Sequence, residues 1–440
     1  MRIKGYLLST IIFTTISVAS QAQVGNDSLI QSGTLEAIIR YALNHQPAVQ
    51  KSLLDERITN SQINSRLADW YPQVDFNYNF QHNFQLQTTQ FAGQVIQLGD
   101  YNTSTANFVY NQNILNRDLL LAASTAKDTR KLATQTTENS RINVVANVSK
   151  AFYDVLLTRQ QIQVTDEDIV RLERSVKDAK NQYKSGLVDK IDYQRATISL
   201  NNAMALKQTN EAALKAKLEY MKSLMGYPLH GNLDVVYDSL KMENEVTFEV
   251  AAKPDYNNRI EYQTLLTQKK LQLANVQYAK NAFIPILAGF ADYNLNFLNN
   301  SASELYKVNY PSSFAGVTLA FPLVHGGKRW MAIKQAKWQL KKTDWDLADL
   351  QNNINAQYAQ AQANYLSSLA NYTALKENMA LAQQVYNTIQ LQYRSGVKAY
   401  LEVITAESDL RTSQINYFNA LYQVLSSKID LQRAMGQLKY

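Results

Sequence analysis

The sequence realigns on itself at an offset of 210. Gln182-Tyr183-Lys184-Ser185-Gly186 falls on Gln392-Tyr393-Arg394-Ser395-Gly396 (392 less 182), and Met225-Gly226 falls on Met435-Gly436. Ala126-Lys127 falls on Ala336-Lys337, and Asn143 on Asn353. Solenoid repeats recur every ~20–50 residues, so this period is a duplicated half-protein. The fold must present one arrangement twice.

Within each half, long stretches carry no helix breaker. Asn116 to Tyr183 contains neither proline nor glycine, and the equivalent stretch from Lys328 to Tyr393 is also unbroken. At 1.5 Å per residue, a helix of that length runs roughly 100 Å. Ile169, Leu172, Val176, Ala179 and Tyr183 are spaced 3-4-3-4, a heptad seam. The seam returns 210 residues later as Met379, Ala382, Tyr386, Ile389 and Tyr393. Each long helix stops at a Ser-Gly pair, with Gly186 and Gly396 as the turn residues of helical hairpins. A second helix then runs to about Met225 or Met435. The neighbouring acids Asp166, Glu167 and Asp168 read as solvated helix surface.

Each half also carries two strand candidates. Val74 to Gln81 alternates without a fault, with Val, Phe, Tyr and Phe on one face and Asp, Asn, Asn and Gln on the other. Ala291 to Phe297 repeats the pattern with opposite parity. Thr105 to Ile114 and Phe314 to Phe321 are weaker candidates, the last with Ala315, Val317, Leu319 and Phe321 on its apolar face. One reading is a soluble sheet with a wet face. The other is a membrane barrel wall, apolar toward lipid and amide-rich toward a watery lumen. Trp70, Tyr71, Phe283 and Trp330, where strands meet helices, favour the barrel as an interfacial belt. Four strands do not close a barrel, which needs about eight or more, so partner chains are required. The stretches Gln87–Asn102 and Asn299–Ser312 then read as extracellular loops.

Residues 1–22 have the layout of a secretory signal: Arg2 and Lys4, an apolar run from Tyr6 to Val18, then Ser20-Gln21-Ala22. The run is too short for a membrane-spanning helix, which needs ~20 apolar residues. The absence of cysteine excludes disulfides, thiolate metal sites, thiol nucleophiles and a lipid anchor on cysteine. The net charge of +7 is spread among acids, which speaks against nucleic-acid binding. Gly326-Gly327-Lys328 lacks the upstream glycine and the following Ser or Thr of a phosphate loop, and neither HExxH nor GxSxG occurs. No enzyme, cofactor or metal site is expected.

The order of motifs resembles the TolC-like outer membrane efflux proteins over nearly all of the chain after the signal. Pro72 and Pro285 stand where a helix gives way to a strand, and Phe321 to Arg329 looks like the family's strand-to-helix turn. Tyr183-Lys184-Ser185-Gly186 and Tyr393-Arg394-Ser395-Gly396 look like its hairpin turns. Asn258-Arg259-Ile260-Glu261 resembles the opening of its second repeat. The resemblance implies a mainly α chain with a membrane β part, three copies forming a twelve-stranded barrel continuous with a helical periplasmic tunnel. It implies a passive exit duct in the outer membrane of a Gram-negative bacterium, working with a periplasmic adaptor and an inner-membrane pump or secretion ATPase. By position it also implies a periplasmic gate of Asp192, Tyr393, Lys398 and Glu402. Lys398 stands where a relative has arginine, and Thr405 replaces a second acid. The expected layout is a signal over 1–22, a first repeat over 23–226, an equatorial segment over 227–257 and a second repeat over 258–440. The rival reading is a secreted coiled-coil structural or adhesive protein, for which the strands would have no use.

Overall fold

A computed structural model describes residues 33–186, 189–228, 230–236, 239–249 and 254–438; the expected signal lies outside them. The first half begins with α1 (Leu35–His45) and α2 (Pro47–Ala68). Strand β1 (Gln73–His82), β2 (Gln87–Phe91), β3 (Gln94–Leu98) and β4 (Asn102–Leu115) follow. Then come α3 (Arg117–Lys184) and α4 (Lys190–Met225). A short helix α5 (Ser239–Asn244) lies between the halves. The second half holds α6 (Ile260–Lys280), β5 (Ile286–Asn299), β6 (Ser312–Ala320), α7 (Lys328–Arg394) and α8 (Tyr400–Ala434).

The expected long helices are present at 68 and 67 residues, about 100 Å each. Asn116 starts α3 as an N-cap, its side-chain oxygen accepting from the Asp118 amide at 2.8 Å. Gly186 and Gly396 end the long helices at φ 71° and 76°, with open space around them. That left-handed backbone is what selects glycine there. Gly226 and Gly436 face a further constraint. A Cβ on Gly226 would meet the His45 carbonyl oxygen at 2.5 Å, and one on Gly436 the Asn258 carbonyl oxygen at 2.3 Å. So the end of each repeat docks on its own beginning. Arg259, almost enclosed, reinforces that docking by donating to the Ala434 carbonyl and the Gln357 side chain, both at 3.0 Å.

The main core lies where the hairpins meet the segment between the halves. Phe152, Val148 and Val155 of α3, Met221 and Met225 of α4, Val424 and Leu431 of α8, and Leu233, Val235, Met242 and Val246 of the segment pack together. Tyr365 of α7 fixes the segment by donating to the Val246 carbonyl at 3.0 Å and accepting from the Phe248 amide at 2.9 Å.

The four expected strands form one antiparallel sheet in the order β1-β4-β5-β6. Of the weaker candidates, the first extends beyond its expected bounds to 102–115, and the second runs over 312–320, starting two residues earlier and leaving Phe321 outside the strand. Directly paired residues share a face, so the register can be read for sidedness. Phe76 opposes Phe108, which opposes Tyr293; Val74 opposes Tyr110, which opposes Ala291, which opposes Ala315. Val317 and Leu319 fall on the same face. On the other face Asn77, Asn107 and Asn294 align, and the Asn107 amide donates to Asp292 at 3.1 Å. The opposite parity of β5 is therefore what places all four apolar faces together.

Within 87–102, expected to be a loop, β2 and β3 form a second hairpin, turning through Ala92 and Gly93 at φ 48° and 81°. Two successive left-handed residues match a two-residue hairpin turn. The 299–312 connection contains a single 3₁₀ turn (Ala302–Lys307) that lies back on the sheet: Leu305 is buried and the Tyr306 hydroxyl meets that of Tyr78 at 2.7 Å. Among the described residues no helix is long and apolar enough to cross a membrane.

Candidate periplasmic gate

The ends of the helical hairpins converge on a small apolar cluster. Ala179 of α3, Ala196 of α4, and Tyr400 and Val403 of α8 are buried in it, with Val176 and Ile389 packed alongside. The heptad seam accounts for this down to Ala179. Tyr183, the last seam position, is exposed; its predecessor Gln182 accepts instead from the Tyr393 hydroxyl at 3.2 Å. The helix therefore rotates its seam away from the partner before the turn.

The four expected gate residues lie around this cluster in two groups. Tyr393 stacks obliquely on Tyr400, ring centroids 5.6 Å apart. Burial is the main cause that pushes the Tyr400 hydroxyl up to about 12, with the Asp192 carboxylate adding to it. Asp192 sits in the first turn of α4, behind the Asp189 N-cap, where the helix dipole favours a negative charge. Lys398 and Glu402 form the second group, an i,i+4 ion pair of 2.6 Å at the start of α8. Within one protomer the lysine thus meets Glu402 rather than Asp192.

About 10 Å further up α8, the structure holds a charged cluster where the sequence suggests solvated surface. Asp168 of α3 is fully buried, not solvated. Its carboxylate accepts from Arg411 of α8 at 2.8 Å and from Arg171 at 3.3 Å. Asp166 does project outward, pairing with Lys207 of α4 at 2.7 Å. Glu407 of α8, 3 % exposed, stands 3.4 Å from the Arg171 guanidinium, but its Oε1 makes no hydrogen bond there. Burial, followed by the Asp168 carboxylate, pushes the Glu407 carboxyl up to about 7 against the pull of Arg171 and Arg411. The seam itself carried the missed signal. From Leu172 the next position up falls between Asp168 and Ile169. The apolar residue is the natural choice, yet the 3.6-residue turn brings Asp168 inward and leaves Ile169 half-buried.

Comparison with known proteins fits this architecture. The chain is 19% identical over 424 residues to the outer membrane protein TolC of Escherichia coli, covering 94% of this chain and 84% of that protein. It is 19% identical over 415 residues to the alkaline protease secretion protein AprF of Pseudomonas aeruginosa, covering 91% and 82%. Its fold superposes on the crystal structure of the Campylobacter jejuni CmeC outer membrane channel with a TM-score of 0.74 at 14% identity, covering 92% and 85%. The sequence profile of the outer membrane efflux protein family matches residues 38–227 and 265–437. With both halves matched and the barrel-forming sheet and helical hairpins in place, the chain belongs to the outer membrane efflux protein family, whose members are channels of the outer membrane.

Proposed function

We propose that three copies of this chain pool their strands into one twelve-stranded barrel and their hairpins into one periplasmic tunnel. That duct passively carries cargo out through the outer membrane. The observation that supports it most is the sheet. Strands β1 and β6 each pair on one side only, and the sheet has one apolar and one amide-rich face. In lipid, unpaired backbone edges cost several kcal/mol per group, so the edges must meet other strands. The long helices are equally incomplete alone: Trp338, Trp345, Leu381, Val385 and Leu391 of α7 are exposed in one protomer and await neighbours. The family resemblance supplies the number three.

By family likeness, the duct engages a periplasmic adaptor and an inner-membrane pump or secretion ATPase, and it catalyses no reaction. Residues 23–226 and 258–440 are the two repeats, and 227–257 is the segment that belts them at the equator. Asp192, Tyr393, Lys398 and Glu402 make the resting gate. Lys398 and Glu402 are paired within the protomer, and Asp192 takes part through the Tyr393–Tyr400 stack. A coiled-coil structural or adhesive protein would have no use for the sheet. The test is extraction from outer membranes in detergent, with mass by light scattering and conductance in planar bilayers. A trimer that conducts is expected; a monomer that leaves the membrane without detergent overturns the reading.

A further inference from the structure

The buried charges between α3 and α8 lie in a place that the duplication makes informative. Adding 210 to Asp168 and Arg171 gives Asn378 and Leu381; subtracting 210 from Glu407 and Arg411 gives Thr197 and Asn201. The equivalent seam, α7 against α4, thus carries no charge at any of the four positions. Within one protomer α3 packs extensively on α8, whereas α4 and α7 make no comparable contact. The charged seam therefore joins the two hairpins of one protomer.

The geometry points to a proton-operated latch: Asp168, Arg171, Glu407 and Arg411 clamp the two hairpins of each protomer together, tightly when Glu407 is protonated and weakly when it is ionised. Arg411 is engaged by Asp168 and acts on ionised Glu407 only through its charge, while Arg171 stands at ion-pair distance with the Glu407 Oε1 left without a hydrogen bond. A second carboxylate in this buried seam repels Asp168; a neutral carboxyl does not, and it donates a hydrogen bond as well. Other charged or titratable groups also face the site, and burial raises the hydroxyls of the two tyrosines among them. They are Tyr386 of α7, whose ring lies 5.9 Å from the Arg171 guanidinium, Arg394 beyond it, and Tyr400 of α8, with Asp192 of α4 beside that tyrosine.

The sign follows from where the proton binds more tightly. In the closed seam the Glu407 carboxyl is raised to about 7; in an opened, hydrated seam it returns to about 4.5. The closed seam therefore holds the extra proton. Its advantage is complete below about 4.5 and is lost as pH rises through about 7. Between roughly pH 5.5 and pH 8.5 the open–closed equilibrium shifts roughly thirtyfold per link.

The inference uses the duct reading only for its first readout, the conductance of the purified trimer in planar bilayers across that pH range. The parent is expected to conduct more as pH rises, with a midpoint near 7. Glu407→Gln, locked neutral, should stay at the low-pH level throughout, while Asp166→Asn, on the outer side of α3, should titrate like the parent. A parent without pH dependence, or a Glu407→Gln variant that titrates like it, overturns the latch. The second readout needs neither a variant nor a pore. Hydrogen–deuterium exchange of the parent, corrected for the chemical rate, should show peptides spanning 165–179 and 400–411 losing protection as pH rises. Unchanged protection overturns the latch even if no conductance is seen at any pH, a result that would count against the duct instead.

Discussion

Asp168 of α3 and Arg411 of α8, 243 positions apart, meet at 2.8 Å with the carboxylate wholly enclosed. A charge so placed is held by Arg411 and, at 3.3 Å, by Arg171 of its own helix. Removing Arg411 should be felt more than removing either of an exposed pair.

Arg411→Ala should lower stability by ~3–5 kcal/mol, as is usual when a buried ion pair loses one partner. Lys207→Ala, which breaks the exposed pair with Asp166, should leave the melting temperature of the purified protein unchanged within error. Thermal unfolding followed by circular dichroism compares the two. Equal losses would show that Asp168 is hydrated in solution.

Phe76 lies mid-strand on the apolar face, its ring 4.9 Å from that of Phe108. Phe76→Arg should cost ~2–4 kcal/mol if it sits near the bilayer midplane, and less protein should reach the outer membrane as assembled trimer. Asn77→Arg, one residue on and facing the other way, should assemble normally. Fractionation and unheated gel migration report both; normal assembly of Phe76→Arg would mean that this face does not meet lipid.

The β2–β3 hairpin should be the most accessible point outside the cell. An epitope inserted at Gly93, in the turn, should be tolerated and bound by antibody on intact cells. Insertion at Ser303 should be tolerated less well, because it interrupts the turn that buries Leu305 and sets Tyr306 on Tyr78. Binding at Gly93 only after permeabilisation would invert the orientation.

At the gate, Asp192→Ala combined with Lys398→Ala removes one member of each charged group. Exposed pairs contribute only about 0.2–1 kcal/mol each, but threefold repetition would multiply them. The double variant should assemble as the parent does and show higher single-channel conductance, with greater sensitivity of cells to large antibiotics. Conductance equal to the parent's would place the gate elsewhere.

Gly436→Ala should destabilise far more than Gly396→Ala. Both add the left-handed backbone penalty of ~1–2 kcal/mol, but only at Gly436 does the new carbon strike a carbonyl, at 2.3 Å. Chemical denaturation of the two variants measures the difference.

Much of this architecture is local in origin and so was legible in the sequence. Helix length follows from the absence of breakers between Asn116 and Ser185. The hairpin turns follow from glycines that adopt positive φ, and the strand faces follow from strict alternation in 74–81 and 291–297. The duplication then placed the same elements in both halves. Asp192, Tyr393, Lys398 and Glu402 were named as a gate only through the family resemblance, and their role stands as a proposal. What it did not carry was contact across the chain. The folding of Tyr306 onto Tyr78 and the burial of Asp168 both depend on which element lies opposite. A carboxylate on a helix reads as solvated until a neighbouring helix brings an arginine to it, and Arg411 comes from the other repeat. Helices and strands are short-range solutions to backbone hydrogen bonding. Burial of charge is decided by packing between distant segments, so only the tertiary structure revealed it.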